Sequence, residues 1–147
     1  MASTLTNLLL HVVFSTKDRR GLITADLQEN LYPYIGGIIR GEKGVPLAIG
    51  GTKNHIHILA KFPASISVSD MLRCIKGNSS KWIKEKGRPF AWQRGYAAFS
   101  VSQSLAGRVR TYIQRQEEHH KQNSFQDELI SLLKIHGIEY DENYIWS

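Results

Sequence analysis

The sequence has one cysteine, Cys74, in 147 residues. That excludes a disulfide framework and any zinc site built on paired thiolates, and it fits a reducing cytoplasm. No apolar run approaches the ~20 residues that a membrane helix needs. The uncharged stretch from Leu5 up to Lys17 is too short, and its flanks are polar. No basic segment precedes it, so it reads as a strand rather than a secretory leader. A Walker loop, a dinucleotide-binding glycine fingerprint and a Gly-x-Ser-x-Gly elbow are all missing, as are internal repeats and low-complexity linkers. What is there is ordinary for a globular chain. Hydrophobic residues make up 41% and charged residues 22%, enough apolar side chain for a core and too much for a disordered tail. Nineteen Lys and Arg against thirteen Asp and Glu give a net charge of +6. An excess of that sign favours a polyanionic partner, nucleic acid first.

The apolar pattern predicts a strand over 5–16, ending in the charged turn Lys17-Asp18-Arg19-Arg20-Gly21. A helix is expected over 25–40, capped by Thr24 and weakened by Pro33 and the Gly36-Gly37 pair. Residues 45–51 and 55–62 read as a hairpin about Gly51-Thr52-Lys53-Asn54. A second helix over 67–86, a strand over 96–102, a helix over 106–121 and another over 124–136 complete the chain. The order β-α-β-β-α-β is that of the ferredoxin-like split βαβ arrangement, an α+β sandwich with an antiparallel sheet. Additional C-terminal helices follow it. We expect a single domain over 1–147, with the ferredoxin-like core at about 5–104 and the C-terminal helices and tail at 105–147.

Three groups of residues have chemical content. His55 and His57 lie two apart on a strand, so both imidazoles point to one face while Ile56 points to the other, into the core. Such a pair can hold a divalent metal between them, or can serve only as surface hydrogen-bonding groups. Tyr112 and Gln116 lie one helical turn apart on one face. A tyrosine can act as a covalent nucleophile and a glutamine carbonyl can ligate a hard metal; equally, Tyr112 can be core and Gln116 solvated. The third group is basic residues interleaved with aromatics: Lys17, Arg19, Arg20, Lys76 and Arg94 among Trp82, Phe90, Trp92 and Tyr96. That mixture suits single-stranded nucleic acid, although Trp82 itself reads as core. His119-His120 read as a polar helix end that favours the helix dipole, with phosphate contact or help to a metal as the alternative. His11 reads as a satisfied buried histidine, and Cys74 as a small core residue.

In order along the chain, these pieces resemble the HUH single-tyrosine transposases of small bacterial insertion sequences. His11-Val12-Val13-Phe14-Ser15-Thr16-Lys17-Asp18-Arg19-Arg20 is similar to that family's first strand and its basic exit. Asn54-His55-Ile56-His57-Ile58-Leu59 resembles its His-hydrophobic-His strand, and Ser67-Val68-Ser69 leading to Ile75-Lys76-Gly77-Asn78-Ser79-Ser80 its second helix. Trp92-Gln93-Arg94-Gly95-Tyr96 resembles the approach to its fourth strand, and Tyr112-Ile113-Gln114-Arg115-Gln116 its Tyr-x-x-x-Gln helix. The resemblance spans roughly residues 8–120.

It implies that His55, His57 and Gln116 are metal ligands, for Mg²⁺ or Mn²⁺, and that Tyr112 is the nucleophile. The implied reaction cleaves single-stranded DNA at a hairpin-bearing element end, leaving a free 3′-OH and a 5′-phosphotyrosine. The covalent link conserves the phosphodiester energy, so rejoining needs no ATP. The resemblance also implies a homodimer, with the tyrosine helix docked either in its own subunit's site or in the partner's; the lack of a long apolar run implies no membrane partner. Lys17, Arg19, Arg20, Lys76 and Arg94 are the expected DNA contacts. The competing reading is a hairpin-binding protein of the same fold without turnover. An RNA-binding ferredoxin-like domain would present aromatics on its central strands where this chain has His55 and His57. A phosphoesterase with paired histidine motifs would need a second pair. The C-terminal stretch 124–147 departs from the minimal family core, and its acidic and aromatic end, 138–146, is expected to pack on the body or on a partner subunit.

Overall fold

The computed structural model describes residues 3–147. Four strands, β1 (Leu8–Ser15), β2 (Val45–Thr52), β3 (His55–Phe62) and β4 (Ala97–Val101), form one antiparallel sheet in the order β2-β3-β1-β4. Helices α1 (Ala25–Gly41) and α2 (Val68–Glu85) connect β1 to β2 and β3 to β4. This is the ferredoxin-like order expected from the sequence. After β4 come α3 (Ala106–Gln114), α4 (Gln116–His119) and α5 (Phe125–Ile135). The expected helix over 106–121 is broken at Arg115, whose φ of −103° and ψ of 21° leave the helical region. In contrast, α1 runs through Pro33 without ending. The ring lies on the exposed side, where the carbonyl it orphans can turn to water.

The alternation of β3 decides what each sheet face does. Ile56 and Ile58 point towards α1 and α2, where they join Phe14, Leu31, Ile35, Leu72 and Ile75 in the main core. Fully burying each of these side chains contributes about 1.5–3 kcal/mol, so this face holds the fold together. The helices covering it are capped as their sequences indicate, with Thr24 Oγ1 accepting from the Leu27 amide and Ser67 Oγ from the Asp70 amide. His55, His57 and Leu59 point the other way, under α3, α4 and α5. The end of the chain closes that second layer. Tyr140, Ile145 and Trp146 pack against Val13, Phe99, Leu129 and Leu133, and the Ser147 carbonyl accepts from the Gly95 amide and from Gln93 Nε2.

Two sequence readings are corrected here. Cys74 is half-buried on the outer side of α2, not in the core. Trp82 packs against the edge of the main core but is only half-buried, stacked on Tyr34 at 4.4 Å between ring centroids with Lys86 Nζ 4.6 Å from its ring. Among the described residues, no helix is long and apolar enough to cross a membrane.

Candidate active site

The layer between the sheet and the C-terminal helices is polar at its centre. Strand β3 supplies His55 and His57, both fully buried. On β1, His11 lies diagonally across from His57, and its Nε2 is 2.8 Å from His57 Nδ1. Helix α3 brings in Tyr112, half-buried, and Gln116 follows the Arg115 break, its side chain turned inward. The structure therefore brings His55, His57, Tyr112 and Gln116 together within one chain. The bond between His55 Nε2 and Gln116 Oε1 is 3.0 Å, and the Tyr112 ring stands edge-on to the His57 ring at 5.7 Å.

At the centre is a residue that sequence reasoning missed. Glu128, on α5, is buried, and both of its oxygens are engaged. Oε1 is 3.0 Å from His57 Nε2, 3.0 Å from His120 Nε2 and 3.4 Å from His55 Nε2. Oε2 accepts from Gln116 Nε2 at 3.0 Å and from the Tyr112 hydroxyl. A signal for it was present. Phe125, Leu129, Leu132 and Leu133 mark one apolar stripe of α5, and Glu128 is a carboxylate on that stripe.

The charges follow from these contacts. Burial disfavours the Glu128 anion, but hydrogen bonds from His120, His55 and His57 outweigh it and hold the carboxyl well below its usual range. Tyr112 is driven the opposite way, above its usual range, by burial and by the adjacent Glu128 charge. Its hydroxyl is neutral and donates to Glu128. Burial lowers His57 to about 4, against the pull of Glu128. It lowers His11 to about 3, with His57 adding to the effect. For His120, burial is outweighed by the Glu128 hydrogen bond and charge, and its pKa rises.

These shifts carry a pH prediction. Histidines depressed in the folded chain from 6.5 to about 4 and about 3 leave the unfolded chain holding more protons below pH 6.5. Stability therefore falls as pH drops from about 6.5 towards 4. His120 has the opposite sign and offsets part of the loss. At about 1.4 kcal/mol per pH unit per group, thermal unfolding in EDTA should show a net loss of about 2–3 kcal/mol between pH 7 and 5. A flat profile over that range contradicts neutral buried histidines.

The donor chemistry fits a cation. His55 Nδ1 lies 2.8 Å from Asn54 Oδ1, an oxygen that also accepts from Thr52 Oγ1. With its Nδ1 proton donated to Asn54, His55 faces Gln116 Oε1 and Glu128 Oε1, both acceptors, through Nε2, so a proton or a metal ion must lie between that nitrogen and the two oxygens. Three acceptors facing one another are stable only with positive charge among them, either a proton or a metal ion. His55, His57, His120 and Glu128 offer ligand atoms that all lie within 4.8 Å of one another.

The expected DNA contacts gather at the end of β1 nearer His55. Lys17, Arg20 and Arg94 are exposed, with Arg20 3.9 Å from Asp18. Arg19 lies over the Trp146 ring at 5.2 Å. Lys76 is committed internally, donating to the carbonyls of Arg94 and Gly95 at 2.9 Å each, and burial lowers it to about 8. Beside Tyr112 a cleft of about 440 Å³ opens between α3 and α5, lined by Val109, Leu132 and Ile135 with Arg108 and His119.

Comparison with known proteins agrees with this fold. Among solved structures, a candidate transposase from Deinococcus radiodurans R1 superposes with a TM-score of 0.64 at 18% identity, covering 79% of this chain and 95% of that one. A REP-associated tyrosine transposase bound to a REP hairpin gives 0.63 at 16% identity, covering 82% and 72%. At those identities they establish the fold. The transposases for insertion sequence element IS200 of Salmonella typhimurium and Salmonella typhi are each 28% identical over 130 residues, 82% of this chain and 84% of theirs. The family model described as "Transposase IS200 like" matches residues 4–116, from the segment before β1 to the last residue of the Tyr-x-x-x-Gln pattern. This chain belongs to the IS200-like transposase family.

Proposed function

We propose that this chain is a metal-dependent transposase that cleaves and rejoins single-stranded DNA through Tyr112. The observation that carries the reading is the convergence of the Tyr112 hydroxyl with His55, His57 and Gln116 in one buried cluster. A hairpin-binding protein has no use for a half-buried phenol directed at a histidine pair.

His55 and His57, through Nε2, and Gln116, through Oε1, would hold Mg²⁺ or Mn²⁺. The bound ion supplies positive charge to the scissile phosphate and to the developing phenolate. The chain does the rest. The cleft beside Tyr112 admits the strand, and Arg108 on its rim meets the phosphates. Glu128 Oε2 holds the Tyr112 hydroxyl in place, and the Tyr112 oxygen attacks phosphorus as its proton leaves to solvent through the cleft. The bond from phosphorus to the 3′ oxygen breaks, and that oxygen takes a proton from solvent as the free 3′-OH. The 5′ side remains as phosphotyrosine. Attack by another 3′-OH reverses these steps and completes strand transfer.

Each chain carries a full set of the four groups, so a homodimer would place two complete sites in one assembly. The C-terminal helices cover the histidine face of the sheet, so residues 1–147 act as one domain. The action is cytoplasmic, and the substrate is a hairpin-bearing element end, as the hairpin-bound neighbour suggests.

The test is a denaturing gel with labelled single-stranded DNA from the element's own end. A covalent protein–DNA band should form with Mn²⁺ and vanish with EDTA. Retarded hairpin DNA in a native gel with no covalent band under either ion assigns the chain to hairpin binding instead.

A further inference from the structure

We infer that His120 and Glu128 are ligands of the same metal as His55 and His57, so that α5 forms part of the metal site and the site prefers Mn²⁺ to Mg²⁺. This deepens the metal-site reading above and rests on it. Neither residue lies within the family match, which ends at Gln116. Both lie in the C-terminal segment that follows it.

Three imidazole nitrogens lie within 3.4 Å of one carboxylate oxygen, Glu128 Oε1. The hydrogen bonds behind them fix how two of those rings face it. His55 Nδ1 is tied to Asn54 Oδ1 at 2.8 Å, and His120 Nδ1 to the Asn123 carbonyl at 2.6 Å. Both oxygens are acceptors, so both rings carry their proton on Nδ1 and turn Nε2 to the centre. His57 Nδ1 meets His11 Nε2 at 2.8 Å, a contact in which a proton on His57 Nδ1 donates to His11 Nε2 and leaves His57 Nε2 for the metal in the same way. Each of the three imidazoles thus has an outer partner that directs its inner nitrogen, the arrangement that orients histidine ligands in metal sites.

Spacing agrees. Ligand bonds of about 2.1 Å place neighbouring ligand atoms roughly 3.0–3.5 Å apart. Glu128 Oε1 is already at 3.0, 3.0 and 3.4 Å from the three nitrogens. The widest separation in the group, within 4.8 Å, needs a contraction of about 1 Å. Rotations of the His120 and Glu128 side chains about their own bonds can supply that adjustment. Three imidazoles beside a carboxylate and an amide oxygen suit Mn²⁺ or a later divalent ion. Mg²⁺ prefers oxygen and keeps much of its water.

The test uses the full chain freed of metal with EDTA. Mn²⁺ binding is followed by the electron paramagnetic resonance of the free ion, with Mg²⁺ as competitor. Thermal unfolding in EDTA checks that each variant folds. The wild type should bind one Mn²⁺, and a large excess of Mg²⁺ should displace it only weakly. Glu128→Gln and His120→Asn, near-isosteric changes, should each weaken Mn²⁺ at least tenfold and narrow its margin over Mg²⁺. Affinity within threefold of wild type in both folded variants would overturn the inference and leave the His55–His57 site standing. Tighter binding in Glu128→Gln would also overturn it, showing that the carboxylate blocks the site. If the wild type binds no Mn²⁺ but loses none of its DNA-linking activity in EDTA, the metal reading itself fails, and this inference with it.

Discussion

Tyr112→Phe should abolish the covalent protein–DNA band and lower strand cleavage by at least about a thousandfold, while changing stability by less than about 1 kcal/mol. The first effect follows from chemistry, since the phenyl ring has no atom that can bond to phosphorus. The second follows from the contacts that survive. The ring's edge contacts with His57, His119 and His11, at 5.7, 5.5 and 6.2 Å between centroids, need no hydroxyl. Glu128 Oε2 loses one donor but keeps Gln116 Nε2, and Oε1 keeps His57 and His120. The cost of the lost bond is offset because the tyrosine hydroxyl no longer has to be buried. Hairpin binding in a native gel should persist, since the exposed cations are untouched. A covalent band within tenfold of wild type would mean that another side chain is the nucleophile.

The sequence was most informative where local pattern and function coincide. Alternation on β3 placed His55 and His57 on one face and Ile56 on the other, and the buried pairs of that strand follow it. Thr24 was readable as a cap because a hydroxyl before an apolar-periodic run has one common use, and Ser67 and Ser124 cap α2 and α5 in the same way. The break at Arg115 was not readable. Residues 106–121 contain no proline, and their only glycine is near the start, so local propensity favours one helix; the inward turn of Gln116 is a tertiary outcome. Glu128 was hidden for a related reason. A glutamate four residues after a capping serine looks like an ordinary first-turn acid. Only the sheet beneath it, which brings His55 and His57 into reach, gives it a different use. Lys76 shows the reverse, a lysine on a basic helix whose ammonium is occupied by two backbone carbonyls.

Gly50→Ala should cost about 2–4 kcal/mol and reduce covalent adduct formation at least about a hundredfold, without touching any group of the site. Gly50 on β2 stands opposite His57 on β3, so its missing side chain points into the same layer as the histidines. Helix α3 uses that gap. A Cβ at Gly50 would run into the carbonyl oxygen of Ile113, which is backbone and has no rotamer by which to yield. Ile113 is fully buried between Ala48 and Leu59, so α3 cannot slide sideways and must lift. Tyr112 and Gln116 flank Ile113 and would lift with it, away from His57 and His55. A displacement near 1 Å is enough to ruin an in-line attack while leaving the fold recognisable. Gly37→Ala is the matched control, since Gly37 lies on the exposed side of α1 with nothing within 4 Å of the added carbon. It should leave adduct formation unchanged and stabilise the chain by up to about 1 kcal/mol. Adduct formation at the wild-type rate in Gly50→Ala would show that the approach of α3 to β2 does not set the position of the nucleophile. Loss of the adduct with intact hairpin binding would place the control of chemistry in the packing of one backbone carbonyl against one glycine.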